Sequence, residues 1–449
     1  MSPPAGTLLR VDASVRRIAG GAVLLGGSPL RLLKLGARGA RVFDRWAGRE
    51  VLGPGEGEQR LARKLVESGL VHPEPPKGPF GVHDVTLVAP VKDDPSGARR
   101  LREATGGVAD QVVVDDGSAE PLAGAALRHE RPAGPAASRN AGWRAARTEL
   151  IAFADADVEP EPGWLDPVLA QFGDPDVAAV APRIRSRAGR GGVARYERDR
   201  SSLDLGDRPA QVRPMSRVSY VPSAALVVRR AALEELGGFD ERLRFGEDVD
   251  LVWRLLDAGG SVRYEPSSVV LHDPRPGVGR WLRQRFEYGT SAAPLSARHP
   301  GRLSCAKLSG WSALAWGLLA AGQPVAALVT AAVTTALFPR KLRSAGVPAV
   351  EALRLAGRGH LGAGRLLADA TRRAWWPLAV VAALFSRRAR TVVLAALLPC
   401  LVESAGRHPS WPVLRVLDDL AYGAGVWAGC LRGRTLGPLR PQFTRDSRM

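Results

Sequence analysis

Short apolar runs, each ending in polar or acidic residues, organise the middle of the chain. "DVTLVAPV", "DQVVVDDGS", "TELIAFADADV" and "VAAVAPRI" carry continuous apolar stretches of strand length. Helical stretches separate them between residues 84 and roughly 300. Strands alternating with helices predict an α/β layering around a largely parallel sheet. In such sheets ligands lie beyond the carboxyl ends of the strands. Acidic clusters follow the second and third of these strands.

The pattern differs on either side. Residues 1 to about 75 hold two apolar runs split by Gly-Gly-Ser-Pro, then helical patterns around "GARVFDRW" and "GEQRLARKLVESG". Gly69 is expected to close the second helix. Strands and helices on this scale predict a small winged-helix-like domain, and "PEPPKGP" reads as a stiff linker after it. From about residue 303 to 435 the chain turns apolar and arginine-rich. "CAKLSGWSALAWGLLAAGQPVAALVTAAVTTALF" contains one charge, Lys307, and is expected to fold as a hairpin at Gly322-Gln323-Pro324. "WWPLAVVAALF" and "TVVLAALLPCLV" follow, with Arg387, Arg388 and Arg390 between them. Short apolar arms edged by Trp and Arg predict association with a membrane. A soluble helical domain with apolar core helices is the alternative.

Composition adjusts this picture. A chain of 449 residues, 45% of them apolar, has material for two or three domains and a large core. The 63 Lys and Arg against 45 Asp and Glu give +18, which favours phosphates, nucleic acid or an anionic membrane. Richness in Ala, Gly, Pro and Arg together indicates a compositional bias that weakens this signal. Only 6% of residues are aromatic and no aromatic–basic interleaving is present, so nucleic acid is not expected as a partner. Cys305, Cys400 and Cys430 fit neither a disulfide framework nor a zinc spacing. Arg10, Arg16 and Arg17 interrupt the N-terminus before any apolar core, so no signal peptide is expected and the catalytic part is placed in the cytosol.

Candidate chemistry sits at the strand ends. Asp155 and Asp157 flank one residue in "FADADVEP", and both carboxylates could reach one Mg²⁺ or Mn²⁺ shared with phosphates. Asp115 and Asp116 in "VVVDDGS" could accept hydrogen bonds from a base or ribose. Arg139, in a helix opening "GPAASRNAGW", could meet a phosphate. Glu247 and Asp248 open the helix of "GEDVDLVWRLLDAGG", where the helix dipole alone would favour acids. A general base is the functional alternative. His272 ends "SSVVLH" and could be a third metal ligand. Singly, each of these residues is as well explained by a turn, a cap or a surface charge.

Their order carries more. "APV", "DDGS", "SRNAGW", "DAD", "GED" and "LH", in that sequence, resemble family 2 glycosyltransferases of the GT-A fold over about residues 84–300. The resemblance implies a Rossmann-like nucleotide-sugar-binding core, with Pro90, Asp115 and Asp116 around the base and ribose. It implies Asp155 on the nucleotide, Asp157 on the metal, His272 near the metal or diphosphate, and Asp248 as catalytic base. Processive members carry Gln-Arg-x-Arg-Trp. Here "QRFEY" keeps Gln284 and Arg285, candidates for the acceptor side together with Glu247, but has Glu287 and Tyr288 at the later places. A polysaccharide channel is therefore not expected.

The three-part architecture resembles the mycofactocin-system glycosyltransferases of actinobacteria. That likeness implies an inverting, metal-dependent transfer of a hexose, glucose from UDP-glucose, to a peptide-derived redox cofactor. It also implies a β-linked oligosaccharide product and a site on the cytoplasmic face of the cell membrane. A transferase of cell-wall polysaccharide or lipid-linked sugar is the second reading. A membrane-associated peptide-binding scaffold is the third, and it leaves the acidic motifs unexplained.

Overall fold

The computed structural model describes residues 3–275 and 277–444. The chain forms two compact units, one from residues 1–17, 24–189 and 197–274, the other from 18–23, 190–196 and 275–449.

The first unit is built on a nine-stranded sheet. Val85–Val91 lies near its middle, parallel to Leu150–Ala154 on one side and Asp110–Asp116 on the other. Their alternating neighbours on both faces are buried apolar residues, which is why these runs carry no polar alternation. Pro95–Ala104 and Pro135–Ala145 are crossover helices. The second lies close against the sheet, because a Cβ on Gly142 would sit 2.3 Å from Val88 Cγ1.

The sheet is mixed, which corrects the expectation of a largely parallel one. Ala225–Arg229 runs antiparallel to both Leu150–Ala154 and Val177–Ser186. Val158–Pro160 and Ala210–Gln211 run antiparallel to the long strand Ser261–His272. Strand direction here depends on where the long segment before Ala225 returns, and a local apolar pattern holds no information about that.

The N-terminal residues of this unit have their own core. Leu9, Phe43, Trp46, Leu65 and Leu70 pack between helices Ala37–Ala47 and Glu56–Glu67 and the strand pair Leu8–Val11 and Val71–Glu74. Gly69 takes a left-handed φ of 65° just past the second helix. Buried charges fasten this region to the sheet. Asp174, itself buried, meets Arg63 Nη2 at 3.2 Å and Arg263 Nη2 at 2.5 Å. Gln171 Nε2 donates to the Pro73 carbonyl at 3.2 Å. The proline-rich stretch thus begins inside a strand that is anchored to the sheet.

The second unit is helical. Gly310–Ala320 and Pro324–Leu342 form the expected hairpin, with Gly322 at φ 77° in its turn. Ala349–Arg373, Trp376–Phe385, Arg387–Glu403 and Trp411–Arg432 follow. Among the described residues, Pro324–Leu342 is the one helix long and apolar enough to cross a membrane. Cys400 and Cys430 are buried free thiols.

Candidate active site

Two acidic clusters stand at the carboxyl ends of Asp110–Asp116 and Leu150–Ala154, the strands on either side of Val85–Val91, and their environments differ. The first closes Asp110–Asp116. Asp115 is fully enclosed and accepts the Ser118 amide at 2.9 Å, the Leu122 amide at 3.1 Å and the Arg128 guanidinium. Burial alone would push its pKa up, but these donors hold it down at about 2. Asp116 accepts the Ala133 amide at 2.8 Å and the Gly134 amide at 3.0 Å, with His129 Nδ1 at 3.0 Å. Its pKa is likewise lowered, those hydrogen bonds outweighing burial. Ser118 caps no helix. Its hydroxyl accepts the Asp93 amide at 2.9 Å, and Asp93 in turn accepts the Ala119 amide at 2.8 Å. The two loops that follow the first two strands are therefore stitched together beside Pro90.

The second cluster gathers residues from three distant places. Leu150–Ala154 delivers Asp155, whose amide donates to the Ala224 carbonyl at 3.1 Å. The chain then turns into Val158–Pro160, paired with the end of Ser261–His272 so that Val158 faces His272. This pairing sets His272 Nε2 3.4 Å from Asp157 Oδ2. Helix Glu247–Asp257 starts at Gly246, which takes a left-handed φ of 81°, and contributes Glu247 and Asp248.

Arg139 joins these parts. It is buried in helix Pro135–Ala145 and donates to Asp155 Oδ1 at 2.6 Å and to Glu247 Oε1 at 2.9 Å. Burial opposes its charge, yet Asp155, Glu247 and Asp248 together raise its pKa. Expected on a phosphate, Arg139 is instead spent on two carboxylates, because a buried guanidinium needs partners within reach. The same contact holds Glu247, which is buried, against Arg139. Burial, then the neighbouring charge of Asp248, push the Glu247 pKa up to about 7, against the pull of Arg139. Burial also raises Asp248, with Asp155 adding to it, while the Val249 and Ser223 amides and Arg139 work the other way.

Asn140, next to Arg139, bolts down the approach to Glu247 and Asp248. Its Nδ2 donates to the Phe239 carbonyl and to Glu241 Oε1, both at 2.8 Å. Its Oδ1 accepts the Phe239 amide at 2.9 Å and Trp143 Nε1 at 3.0 Å. Gly238, at φ 79°, leaves no room for a side chain, since a Cβ there would lie 2.3 Å from Asn140 Oδ1. Nothing in the residue types marked Asn140 for this task, although it stands in "SRNAGW". Arg187 is a second residue the pattern did not single out. It pairs with Glu159 at 2.6 Å and Asp273 at 2.8 Å, beside Asp157 and His272.

Gln284 and Arg285 belong to the helical unit, on helix Val278–Thr290. Gln284 Nε2 donates to the Tyr288 hydroxyl at 3.0 Å. Arg285 is buried, pairs with Asp418 at 3.1 Å and stacks over Trp281 at 5.5 Å. These partners hold Arg285 within the helical unit.

Asp157 and His272 fit a divalent cation as a pair of donors. Among the described residues no cluster of three or more His, Cys, Asp or Glu forms a closed cage. Mg²⁺ and Mn²⁺ at nucleotide sites commonly use one or two protein ligands and complete their shell with phosphate oxygens and water. The donor set thus suits a cation shared with a substrate.

Comparison with known proteins identifies the family. Residues 97–237 match the model of glycosyl transferase family 2. The pre-mycofactocin glycosyltransferase of Mycobacterium tuberculosis is 45% identical over 469 residues, covering 98% of both chains. The chain belongs to the pre-mycofactocin glycosyltransferase family. It is a family 2 glycosyltransferase whose motifs occupy the first unit. A 153-residue stretch is 33% identical to the N-acetylglucosaminyl-diphospho-decaprenol L-rhamnosyltransferase of the same species, covering 29% of this chain and 49% of that protein. Among solved structures, the mannosyltransferase from Pyrobaculum calidifontis in complex with GDP-Man and Mn²⁺ overlaps 80% of this chain and 90% of its own, at 16% identity and a TM-score of 0.45.

Proposed function

We propose that this glycosyltransferase moves glucose from UDP-glucose onto the peptide-derived cofactor pre-mycofactocin, with inversion, and extends it into a β-linked oligosaccharide. The observation that carries the reading is the pairing of buried Arg139 with Glu247 and with Asp155, two residues from the Asp157–His272 pair, in a chain 45% identical over 98% of its length to a pre-mycofactocin glycosyltransferase. The base and ribose of the donor lie along Pro90 and the Asp115–Ser118 turn. Asp155 holds the nucleotide side of the site. Asp157 and His272 would hold a divalent cation, Mg²⁺ or Mn²⁺, which when bound would supply charge neutralisation for the leaving diphosphate.

Asp248 takes the proton from an acceptor hydroxyl. The freed oxygen bonds to the anomeric carbon as the bond to the diphosphate breaks on the opposite face, and UDP carries away that electron pair. Burial favours this role, because a carboxylate with a raised pKa is a stronger base near neutral pH. Arg139 pairs with Asp155 and holds Glu247 in place. The N-terminal region, winged-helix-like in its mix of strands and helices, receives the peptide part of the acceptor. The helical region holds the protein at the cytoplasmic face of the membrane.

The test is mass spectrometry of pre-mycofactocin incubated with UDP-sugars and Mn²⁺ or Mg²⁺. Successive additions of one hexose mass from UDP-glucose, with β-linkage by NMR, are the expected result. Transfer to a polyprenyl phosphate acceptor but not to pre-mycofactocin would replace this reading with lipid-linked sugar synthesis.

A further inference from the structure

The helical unit leaves much large apolar surface uncovered, and some of its most exposed residues lie at the turns of two hairpins. The hairpin of Gly310–Ala320 and Pro324–Leu342 turns at Gly322, and that of Trp376–Phe385 and Arg387–Glu403 turns at Ser386. The two turns are adjacent, since a Cβ on Gly322 would lie 3.2 Å from Arg388 Nε. Around them Val325, Leu328, Leu384 and Phe385 are 74%, 71%, 72% and 86% exposed. Soluble surfaces scatter such residues singly, whereas a contiguous group marks an interface.

Charge identifies what covers it. Arg387, Arg388 and Arg390 are exposed and immediately follow Phe385. Residues 303–350 and 370–402 contain no Asp or Glu, and residues 303–435 carry 16 Lys and Arg against five acids. A second copy of this face would set arginines against arginines with no carboxylate to receive them. Lipid phosphates supply both missing features, an apolar interior and an anionic rim. Helix length limits the depth. Helices of 11 and 10 residues span about 16 Å, about half of a hydrocarbon core of about 30 Å.

We propose that the paired hairpin turns form an anionic-lipid docking tip, with Val325, Leu328, Leu384 and Phe385 entering the near leaflet and Arg387, Arg388 and Arg390 held by phospholipid headgroups. This rests on the membrane assignment made above and adds to it the lipid class and the residues. The tip enters without its short arms crossing the bilayer, as an interfacial helix does.

Flotation of the purified full chain with vesicles tests it. One vesicle set is phosphatidylcholine alone and the other is phosphatidylcholine with 30 mol% phosphatidylglycerol. The expected result is binding at least about tenfold tighter to the anionic vesicles, weakened by 0.5 M NaCl. Arg387→Glu with Arg388→Glu should abolish that preference, and Leu384→Asp with Phe385→Asp should lower binding about tenfold or more to both. These side chains are exposed, so circular dichroism is expected to be unchanged. Equal binding to both vesicle types would overturn the lipid preference while leaving the membrane assignment standing. Binding to neither, with a dimer in light scattering that Phe385→Asp dissociates, would overturn both.

Discussion

Two pairs of adjacent acidic residues belong to the first unit, Asp115 and Asp116 ending a strand and Glu247 and Asp248 opening a helix, and in sequence they look alike. Asp115 and Asp116 are satisfied by the chain's own donors, and their pKa values fall. Glu247 and Asp248, set against Asp155 and Arg139, are crowded by burial and by one another, and theirs rise. The first pair is settled whether or not a ligand is present and shapes the loops beside it. The second concentrates negative charge around a single guanidinium, an arrangement that costs stability and supplies chemistry. Equal motifs therefore acquire different roles through what the fold brings opposite them.

The contrast breaks most severely at Asp157 and His272, the proposed metal ligands. Asp157→Ala should abolish Mn²⁺-dependent tightening of UDP binding, a loss of about 10–100-fold in affinity of the size seen when metal-site residues are removed. Calorimetric titration with and without Mn²⁺ measures this, and chelation of the wild-type protein should reproduce it. A titration unchanged by the substitution would remove Asp157 from the metal.

Asn140→Ala is the next effect in size. It leaves the Phe239 amide and carbonyl and Trp143 Nε1 without their buried partner. At about 1–3 kcal/mol for each abandoned group, partly relieved by relaxation, a loss of about 3 kcal/mol is expected. Urea unfolding reads the stability. A fall in kcat larger than the rise in KM, in the fraction still folded, would show that Asn140 acts by holding the Asp248 loop.

The smallest effect sharpens the electrostatic half of the comparison. Glu247 and Asp248 titrate as a coupled pair, and activity requires the pair to lose its last proton. The acid limb of kcat/KM should therefore lie near the Glu247 value of about 7, with activity falling as pH drops through it. Glu247→Gln removes the neighbouring charge, so Asp248 ionises more easily and the limb should move to lower pH. A limb that stays in place would show that a different group controls it.

Much of this site could be read from the chain, and the part that could not shares one cause. Strand ends at Asp116 and Asp155, the helix opening at Glu247 and the strand ending at His272 follow from local patterns and their order. The hairpin turn at Gly322 was legible for the same reason. The partner of Arg139 was not, because Glu247 lies 108 residues away and either a phosphate or a carboxylate satisfies a guanidinium. Asn140 gave no sign of gripping Phe239, 99 residues on. The pairing of Arg285 with Asp418, on a helix distant in the chain, was equally invisible. The antiparallel return of Ala225–Arg229 likewise depends on long-range placement. Local pattern identifies which residues reach the end of the sheet, and tertiary packing decides what each meets there.

Asp248 is the proposed base on which the transfer depends. Asp248→Asn keeps the side chain's shape and removes its basicity, so the measurement is UDP-glucose binding and single-turnover transfer on the same preparation. The predicted result is donor affinity within about twofold of wild type and transfer slowed by about 10²–10⁴-fold. Transfer at the wild-type rate would contradict the assignment of Asp248 and, with it, the division of labour between the two acidic clusters.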